Sequence, residues 1–190
     1  MLDRRQFIAA TAAFAVVPLA SAGAANQVVG VFRRGIGDTV VTSLLDGFLA
    51  IDPAMLVGSD PETNARLLRE AFLAAGPVDT AINAFVVETA DRTILVDGGS
   101  GASIGPTAGK LPEALAAAGI DPAAVDVVFA THLHPDHVGI FATDGTATFP
   151  NAELVLHPAE LAFWTNDANF AGADDMVQAF KAMAQGAVAP

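Results

Sequence analysis

The chain has 190 residues, of which 53% are apolar, enough for the hydrophobic core of one domain and too many for general disorder. Its formal net charge of −12 disfavours any partner recognised through a phosphate backbone, so we expect no nucleic-acid ligand. The chain contains no cysteine, and any metal ion must therefore be held by imidazole and carboxylate groups.

Residues 1–24 have the pattern of an export signal. Asp3-Arg4-Arg5-Gln6-Phe7-Ile8 precedes an apolar run at residues 9–20, and the small residues Ser21-Ala22-Gly23-Ala24 follow. The paired arginines predict a twin-arginine signal peptide. Because the apolar run is shorter than the roughly 20 residues of a permanent membrane helix, we expect no stable membrane anchor. The predicted location is periplasmic or secreted.

Two strand pairs are predicted in the first half of the remaining chain. Residues 28–32 and 39–48 are rich in β-branched and aromatic residues, with glycines and an aspartate between them that suit a hairpin turn. Residues 81–89 and 92–96 form a second such pair around the turn Ala90-Asp91. Together they predict a meander of antiparallel strands.

Between the two pairs, Asp60-Pro61-Glu62 is typical of a helix start, and Gly76-Pro77 of a helix end. Apolar residues recur between them at helical spacing: Leu67, Leu68, Ala71, Phe72 and Ala75. We expect this apolar stripe to face the core rather than to line a binding groove.

A glycine-rich turn, Asp97-Gly98-Gly99-Ser100-Gly101, follows the predicted strand at residues 92–96. Asp97 could be a turn former that bonds to nearby backbone, which its spacing favours, or a group that orients metal ligands. Further helices are predicted at residues 109–118 and 174–183, and a strand at residues 125–130. This order predicts a sheet covered by helices.

The segment Thr131-His132-Leu133-His134-Pro135-Asp136-His137-Val138-Gly139 contains three of the four histidines of the chain. In an extended backbone His132 and His134 point to the same side, while Leu133 faces the core. After the turn at Pro135, the side chains of Asp136 and His137 can face a second point nearby. Imidazole and carboxylate suit Zn²⁺ or another divalent ion, so this segment, called the histidine motif below, predicts half of two adjacent metal sites.

With this motif the chain resembles the metallo-β-lactamase superfamily. The strand meander, the Asp97-Gly98-Gly99 turn and residues 149–153 are most similar to its methyl parathion hydrolase and lactonase-like branch. The resemblance implies an α/β (α+β) fold, the αββα sandwich of that superfamily, with residues 25–190 as its N-terminal portion. It also implies two Zn²⁺ ions in the complete protein.

The resemblance also assigns roles to single residues. His132 and His134 are expected to bind the first metal ion, and Asp136 and His137 the second. Asp97 matches the family's acid at a strand end near the site and would orient metal ligands without binding the ion itself. Asp136 is further expected to act catalytically, by holding the nucleophile in line.

The implied activity is hydrolysis of an ester-like bond in a small-molecule substrate, either a lactone or an organophosphate triester, by metal-bound hydroxide. Hydrolysis of a β-lactam or a thioester is an alternative within the superfamily. A catalytically inactive protein that binds metal or another protein is the alternative outside enzymes.

His157 and Trp164 follow the histidine motif. His157 closes an apolar strand and is expected to be structural, because the family's further histidine ligand lies in a glycine-rich motif that this sequence lacks. Trp164 is the only tryptophan. By resemblance it could line the substrate entrance, although core packing is the favoured role.

The ligand count limits the expected activity. Each metal ion would have two protein ligands from the motif, where a catalytic site normally has about three plus water. We therefore expect these 190 residues to be an incomplete portion of the enzyme that is inactive alone. The alternative to an incomplete enzyme is a short protein whose metal sites are completed by ligands of another subunit, as in a homodimer.

Overall fold

The computed structural model describes residues 30–190, and the predicted signal peptide lies outside them. Its strands are β1 Val31–Ile36, β2 Thr39–Ile51, β3 Val78–Glu88, β4 Thr93–Val96, β5 Val127–Phe129, β6 Ala142–Thr143, β7 Thr146–Ala147 and β8 Glu153–Val155. A six-stranded sheet has the strand order β1-β2-β3-β4-β5-β8, and a two-stranded sheet joins β6 to β7. Strands β1 to β4 are antiparallel, whereas β5 and β8 join the sheet as parallel strands.

Five α-helices accompany the sheet in the described part of the chain. They are α1 Pro61–Glu70, α2 Leu111–Ala118, α3 Pro135–Val138, α4 Pro158–Thr165 and α5 Asp175–Ala187. Each begins with a proline in its first turn except α5, where the Asp174 carboxylate accepts a hydrogen bond from the backbone N of Val177. No helix within residues 30–190 is long and apolar enough to cross a membrane.

Both predicted strand pairs are present. The β1–β2 turn is shorter than predicted, because β1 continues through Ile36 and pairs with Thr39. Gly37 supplies the positive φ, 59°, that a two-residue hairpin turn requires. Strands β3 and β4 pair from Glu88 opposite Thr93, which confirms the second hairpin.

The core lies on one face of the six-stranded sheet. The buried side chains that the sheet contributes are Leu44, Ala84, Val86, Leu95 and Val128. They pack against buried side chains of α2 and of the later helical segments: Leu111, Ala114, Leu115, Trp164, Phe170 and Ala184. Gly119 ends α2 in the left-handed conformation with φ 72°, as predicted for the residue after the helix. The predicted sheet covered by helices is thus confirmed on this face.

The opposite face carries a row of paired residues that crosses all six strands: Phe32, Ser43, Phe85, Val96, Phe129 and Val155. Residues directly opposite each other across strands share a face. The phenylalanines of this row are exposed, Phe32 to 67%, Phe85 to 41% and Phe129 to 39%. This face is therefore apolar and open to solvent over residues 30–190.

The prediction that the stripe of α1 faces the core is wrong. The helix ends at Glu70, and Phe72, which has φ 59°, is 97% exposed. Leu67 is 49% exposed and lines a cavity with Ile51, the last residue of β2, and Val78, the first residue of β3. The residue that α1 buries is Asn64, whose Nδ2 donates to the carbonyl of Pro53. The helix is amphipathic as predicted, but it packs on a turn rather than on the sheet.

Candidate metal centre

The histidine motif begins where β5 ends, and Asp97 follows the end of the neighbouring strand β4. The two strands are parallel, so both segments leave the sheet at the same edge. The Asp97 backbone N donates to the Phe129 carbonyl at 2.9 Å, which extends the strand pairing to the start of the site. Residues separated by more than 30 positions in sequence are brought together in this way.

The three histidines of the motif are neighbours in space. Leu133 is fully buried, and the imidazoles of His132 and His134 on either side of it have ring centroids 4.6 Å apart. Helix α3 begins at Pro135 with His134 as its N-cap, and this turn returns His137 to the cluster. The rings of His132 and His137 are 4.0 Å apart. The predicted alternation around Leu133 is therefore present.

Asp97 connects the glycine-rich turn to the motif. Its side chain is buried, and its backbone has φ 60°, a conformation that aspartate tolerates better than most residues. Its carboxylate accepts hydrogen bonds from the backbone N of Thr131 at 2.9 Å and from the Thr131 hydroxyl at 2.9 and 3.0 Å. His137 Nδ1 lies 2.8 Å from Asp97 Oδ2. The carboxylate thus contacts an imidazole as well as the backbone of Thr131, and its role in orienting a metal ligand stays a prediction.

The second nitrogen of His137, Nε2, lies 3.4 Å from Asp136 Oδ2, so the ring is held between two carboxylates. Burial by itself lowers the pKa of His137, but the hydrogen bonds to Asp136 and Asp97 outweigh burial and raise that pKa to about 9. The same bond to His137 lowers the pKa of Asp136. Burial, with the neighbouring His137 and His134, lowers the pKa of His132.

The donor chemistry of the motif fits a divalent metal ion of the zinc type: three imidazoles and a carboxylate on one loop, with a further carboxylate behind His137. Within residues 30–190, however, no three histidine, aspartate or glutamate side chains are arranged so that they could hold an ion. The assignment of His132, His134, Asp136 and His137 as ligands stays a prediction.

The glycine-rich turn and the end of the motif pack backbone against backbone. The backbone N of Gly139 donates to the Gly99 carbonyl at 2.8 Å, and that of Ile140 donates to the Gly98 carbonyl at 3.2 Å. A Cβ atom added to Gly139 would overlap the backbone of Ser100. This close approach keeps Asp97 and His137 in register.

Asp46 supports that turn from the core side and was missed by the sequence analysis. It is fully buried at a bulge of β2 next to Gly47. Its carboxylate accepts hydrogen bonds from the backbone N and hydroxyl of Ser100 at 3.0 and 2.7 Å, from Gly109 N at 3.0 Å and from Leu111 N at 2.9 Å. The sequence signal that could have revealed Asp46 is an acid followed by a glycine inside an otherwise apolar strand.

The remaining histidine lies apart from this ligand set. His157 is exposed and caps α4, where its Nδ1 accepts a hydrogen bond from the backbone N of Ala159 at 3.2 Å. This agrees with the predicted structural role. Trp164 is buried in the core, which agrees with the favoured packing role, and its ring is T-shaped to that of His134 with centroids 5.7 Å apart. The alternative place of Trp164 at the substrate entrance stays a prediction.

Comparison with known proteins identifies the family. The model of the metallo-beta-lactamase superfamily matches residues 77–171, which include Asp97 and the whole histidine motif. A search of curated proteins gives no match. This chain belongs to the metallo-β-lactamase superfamily, and the predicted α/β fold of that superfamily is confirmed.

Among the solved structures similar to the chain are a hydrolase and a lactonase. The hydrolase AbOPH of the beta lactamase superfamily is 32% identical over 86% of this chain and 58% of its own, with a TM-score of 0.78. The dizinc quorum-quenching lactonase AidC is 25% identical over 84% of this chain and 59% of its own, with a TM-score of 0.73. The chain thus spans less than two thirds of the length of either relative.

Proposed function

We propose that this chain is part of a metal-dependent hydrolase that cleaves an ester-like bond in a small molecule, with a lactone as the first substrate class to test. The observation that carries the proposal is the clustering of three imidazoles, with ring centroids 4.0 and 4.6 Å apart, beside the carboxylates of Asp136 and Asp97. The similarity to a dizinc lactonase supports both the metal and the substrate class.

His132 and His134 would hold one ion, and Asp136 and His137 a second. Zn²⁺, when bound, supplies Lewis-acid activation of water and polarises the electrophilic oxygen of the substrate. The residues of the chain have separate tasks. Asp97 would hold the Nδ1 proton of His137 and leave Nε2 free to bind an ion. Asp136 would bind the same ion in place of its contact with His137 and would orient the attacking water.

The experiment compares two matched substitutions, His132→Asn and His157→Asn, in the full chain. We expect His132→Asn to lower bound Zn²⁺, measured by elemental analysis after dialysis, and to abolish any lactone hydrolysis that the unaltered chain shows. His157→Asn keeps an acceptor for the α4 cap and should leave metal content unchanged. Equal Zn²⁺ content in all three proteins would contradict the proposal.

We also infer that residues 1–24 direct export, because an arginine pair precedes an apolar run and small residues. The test is a fusion of residues 1–24 to a fluorescent protein, followed by cell fractionation. Replacement of both Arg4 and Arg5 by lysine should retain the fusion in the cytoplasm. An equal distribution with and without the substitutions would contradict a twin-arginine route.

A further inference from the structure

Glu160 is a half-buried acid on the first turn of α4 and faces the histidine motif. Its Oε2 accepts a hydrogen bond from the backbone N of Leu133 at 3.0 Å and another from Trp164 Nε1 at 3.1 Å. The peptide of Leu133 lies between His132 and His134. One carboxylate oxygen therefore joins the backbone of the motif to the indole of α4.

Trp164 is held in place by burial, by ring stacking and by a hydrogen bond to α5. Trp164 is 6% exposed and stacks on Phe170 with centroids 5.3 Å apart and an interplanar angle of 27°. Its carbonyl accepts a hydrogen bond from Gln185 Nε2 at 3.1 Å, which joins α4 to α5. The same indole meets the ring of His134 edge-on at 86°. A displacement of Glu160 would thus affect both the backbone that precedes His134 and the indole that contacts its ring.

We propose that Glu160 is a positioning residue that fixes His132 and His134 for metal binding, by tying the backbone of Leu133 to the indole of Trp164. The inference rests on the proposed function, since it concerns the same two histidines. Hydrogen bonds to an ionised carboxylate are about twice as strong as those between neutral groups. Groups that orient metal ligands typically contribute about 10- to 100-fold to metal affinity.

The test uses Co²⁺ as the probe and the full chain with three substitutions: Glu160→Ala, Glu160→Gln and the control Glu113→Ala. Glu113 is an exposed glutamate on the first turn of α2, which has eight residues like α4, so the control removes the same charge from an equivalent helix position. Co²⁺ affinity is measured by competition with a coloured chelator. The visible spectrum of bound Co²⁺ reports its ligand geometry, and circular dichroism checks the fold.

We expect Glu160→Ala to weaken Co²⁺ binding about tenfold or more and to alter the Co²⁺ spectrum. Glu160→Gln, which keeps an acceptor oxygen without the charge, should lie between Glu160→Ala and the unaltered chain. Glu113→Ala should match the unaltered chain. Fluorescence of Trp164, the only tryptophan, should change in Glu160→Ala before any metal is added.

The outcomes separate the two proposals. If the unaltered chain binds no Co²⁺, the proposed function fails, and the positioning role fails with it. If the unaltered chain binds Co²⁺ and neither Glu160 substitution changes the affinity or the spectrum, only the positioning role is overturned. Should Glu160→Ala not fold, Glu160→Gln and Trp164→Phe, which removes the indole donor but keeps a ring, carry the comparison.

Discussion

At the scale of single residues, the site depends on one carboxylate that serves two segments. Asp97 accepts hydrogen bonds from Thr131 and contacts His137, while the Thr131 hydroxyl lies 3.1 Å from His132 Nδ1. A chain of polar contacts therefore joins two predicted ligands, His132 and His137, through groups that would not themselves bind the ion. Such outer contacts set the orientation and basicity of ligating imidazoles.

Asp97→Asn should separate this role from that of a turn former. Asparagine tolerates a positive φ as well as aspartate does, so the turn should persist. The amide presents an N–H group where the carboxylate accepted hydrogen bonds from Thr131 and His137. We expect the affinity for Zn²⁺ to fall about 10- to 100-fold, measured by competition with a chelator. Asp91→Asn, in an exposed turn, is the control, and equal affinity in both variants would count against the orienting role.

Two glycines of the chain should respond in opposite ways to alanine. At Gly139 an added Cβ overlaps the backbone of Ser100, so Gly139→Ala should lower the free energy of unfolding by about 1–3 kcal/mol. At Gly186, in α5, an added Cβ meets nothing within 4 Å, and Gly186→Ala should raise it by up to about 1 kcal/mol. Urea denaturation measures both. A stable Gly139→Ala protein would mean that the two loops separate easily.

At the scale of elements, α1 depends on its cap because it has little packing. The Asp60 carboxylate accepts hydrogen bonds from the backbone N atoms of Glu62 and Thr63 and from the Thr63 hydroxyl. Its bonds to Thr63 lower the pKa of Asp60 below the ordinary value of 3.8. Because the folded pKa is depressed, this stabilisation is present above pH 3.8 and is lost as the pH falls through the lower, folded value.

Asp60→Asn keeps the cap acceptor and removes the titration. The unaltered chain should therefore lose more stability than Asp60→Asn as the pH falls from 5 to 2, mainly below pH 3.8, as measured by the thermal midpoint at each pH. Asp52→Asn is the control, because it removes the charge of another exposed aspartate, the one that caps the short turn at Pro53–Met55. Parallel curves for the unaltered chain and Asp60→Asn would show that α1 makes no such contribution.

The sequence predicted those elements whose local signals agree with their surroundings. Gly119 ends α2 and Asp174 caps α5 because cap chemistry acts within one turn of helix. The extended spacing of His132 and His134 also followed from local geometry. Periodicity could not reveal that the apolar residues of α1 lie beyond the reach of the core, since burial is decided by distant segments. The roles of Asp46 and Glu160 were missed for the same reason: their partners are 54 and 27 positions away.

At the scale of the whole molecule, the two faces of the six-stranded sheet differ. One face is covered by helices and carries fully buried Leu44, Val86 and Leu95. The other carries the exposed row that includes Phe85 and Phe129. The histidine motif lies at the carboxyl-terminal ends of the parallel strands β4 and β5. Leu133 and Val138 of the motif belong to the buried core of the covered face, so we expect the packing of that face to fix the position of the motif.

Matched truncations on the two faces test this asymmetry. Leu95→Ala opens a cavity in the covered face and should cost about 2–5 kcal/mol of unfolding free energy. Phe85→Ala removes a larger side chain that is 41% exposed, so it should cost clearly less, about 1 kcal/mol. Both values come from urea denaturation of the full chain at the same protein concentration. If Phe85→Ala cost as much as Leu95→Ala, the apolar row would have to be covered in solution, and a dependence of that cost on protein concentration would identify the cover as a second copy of the chain.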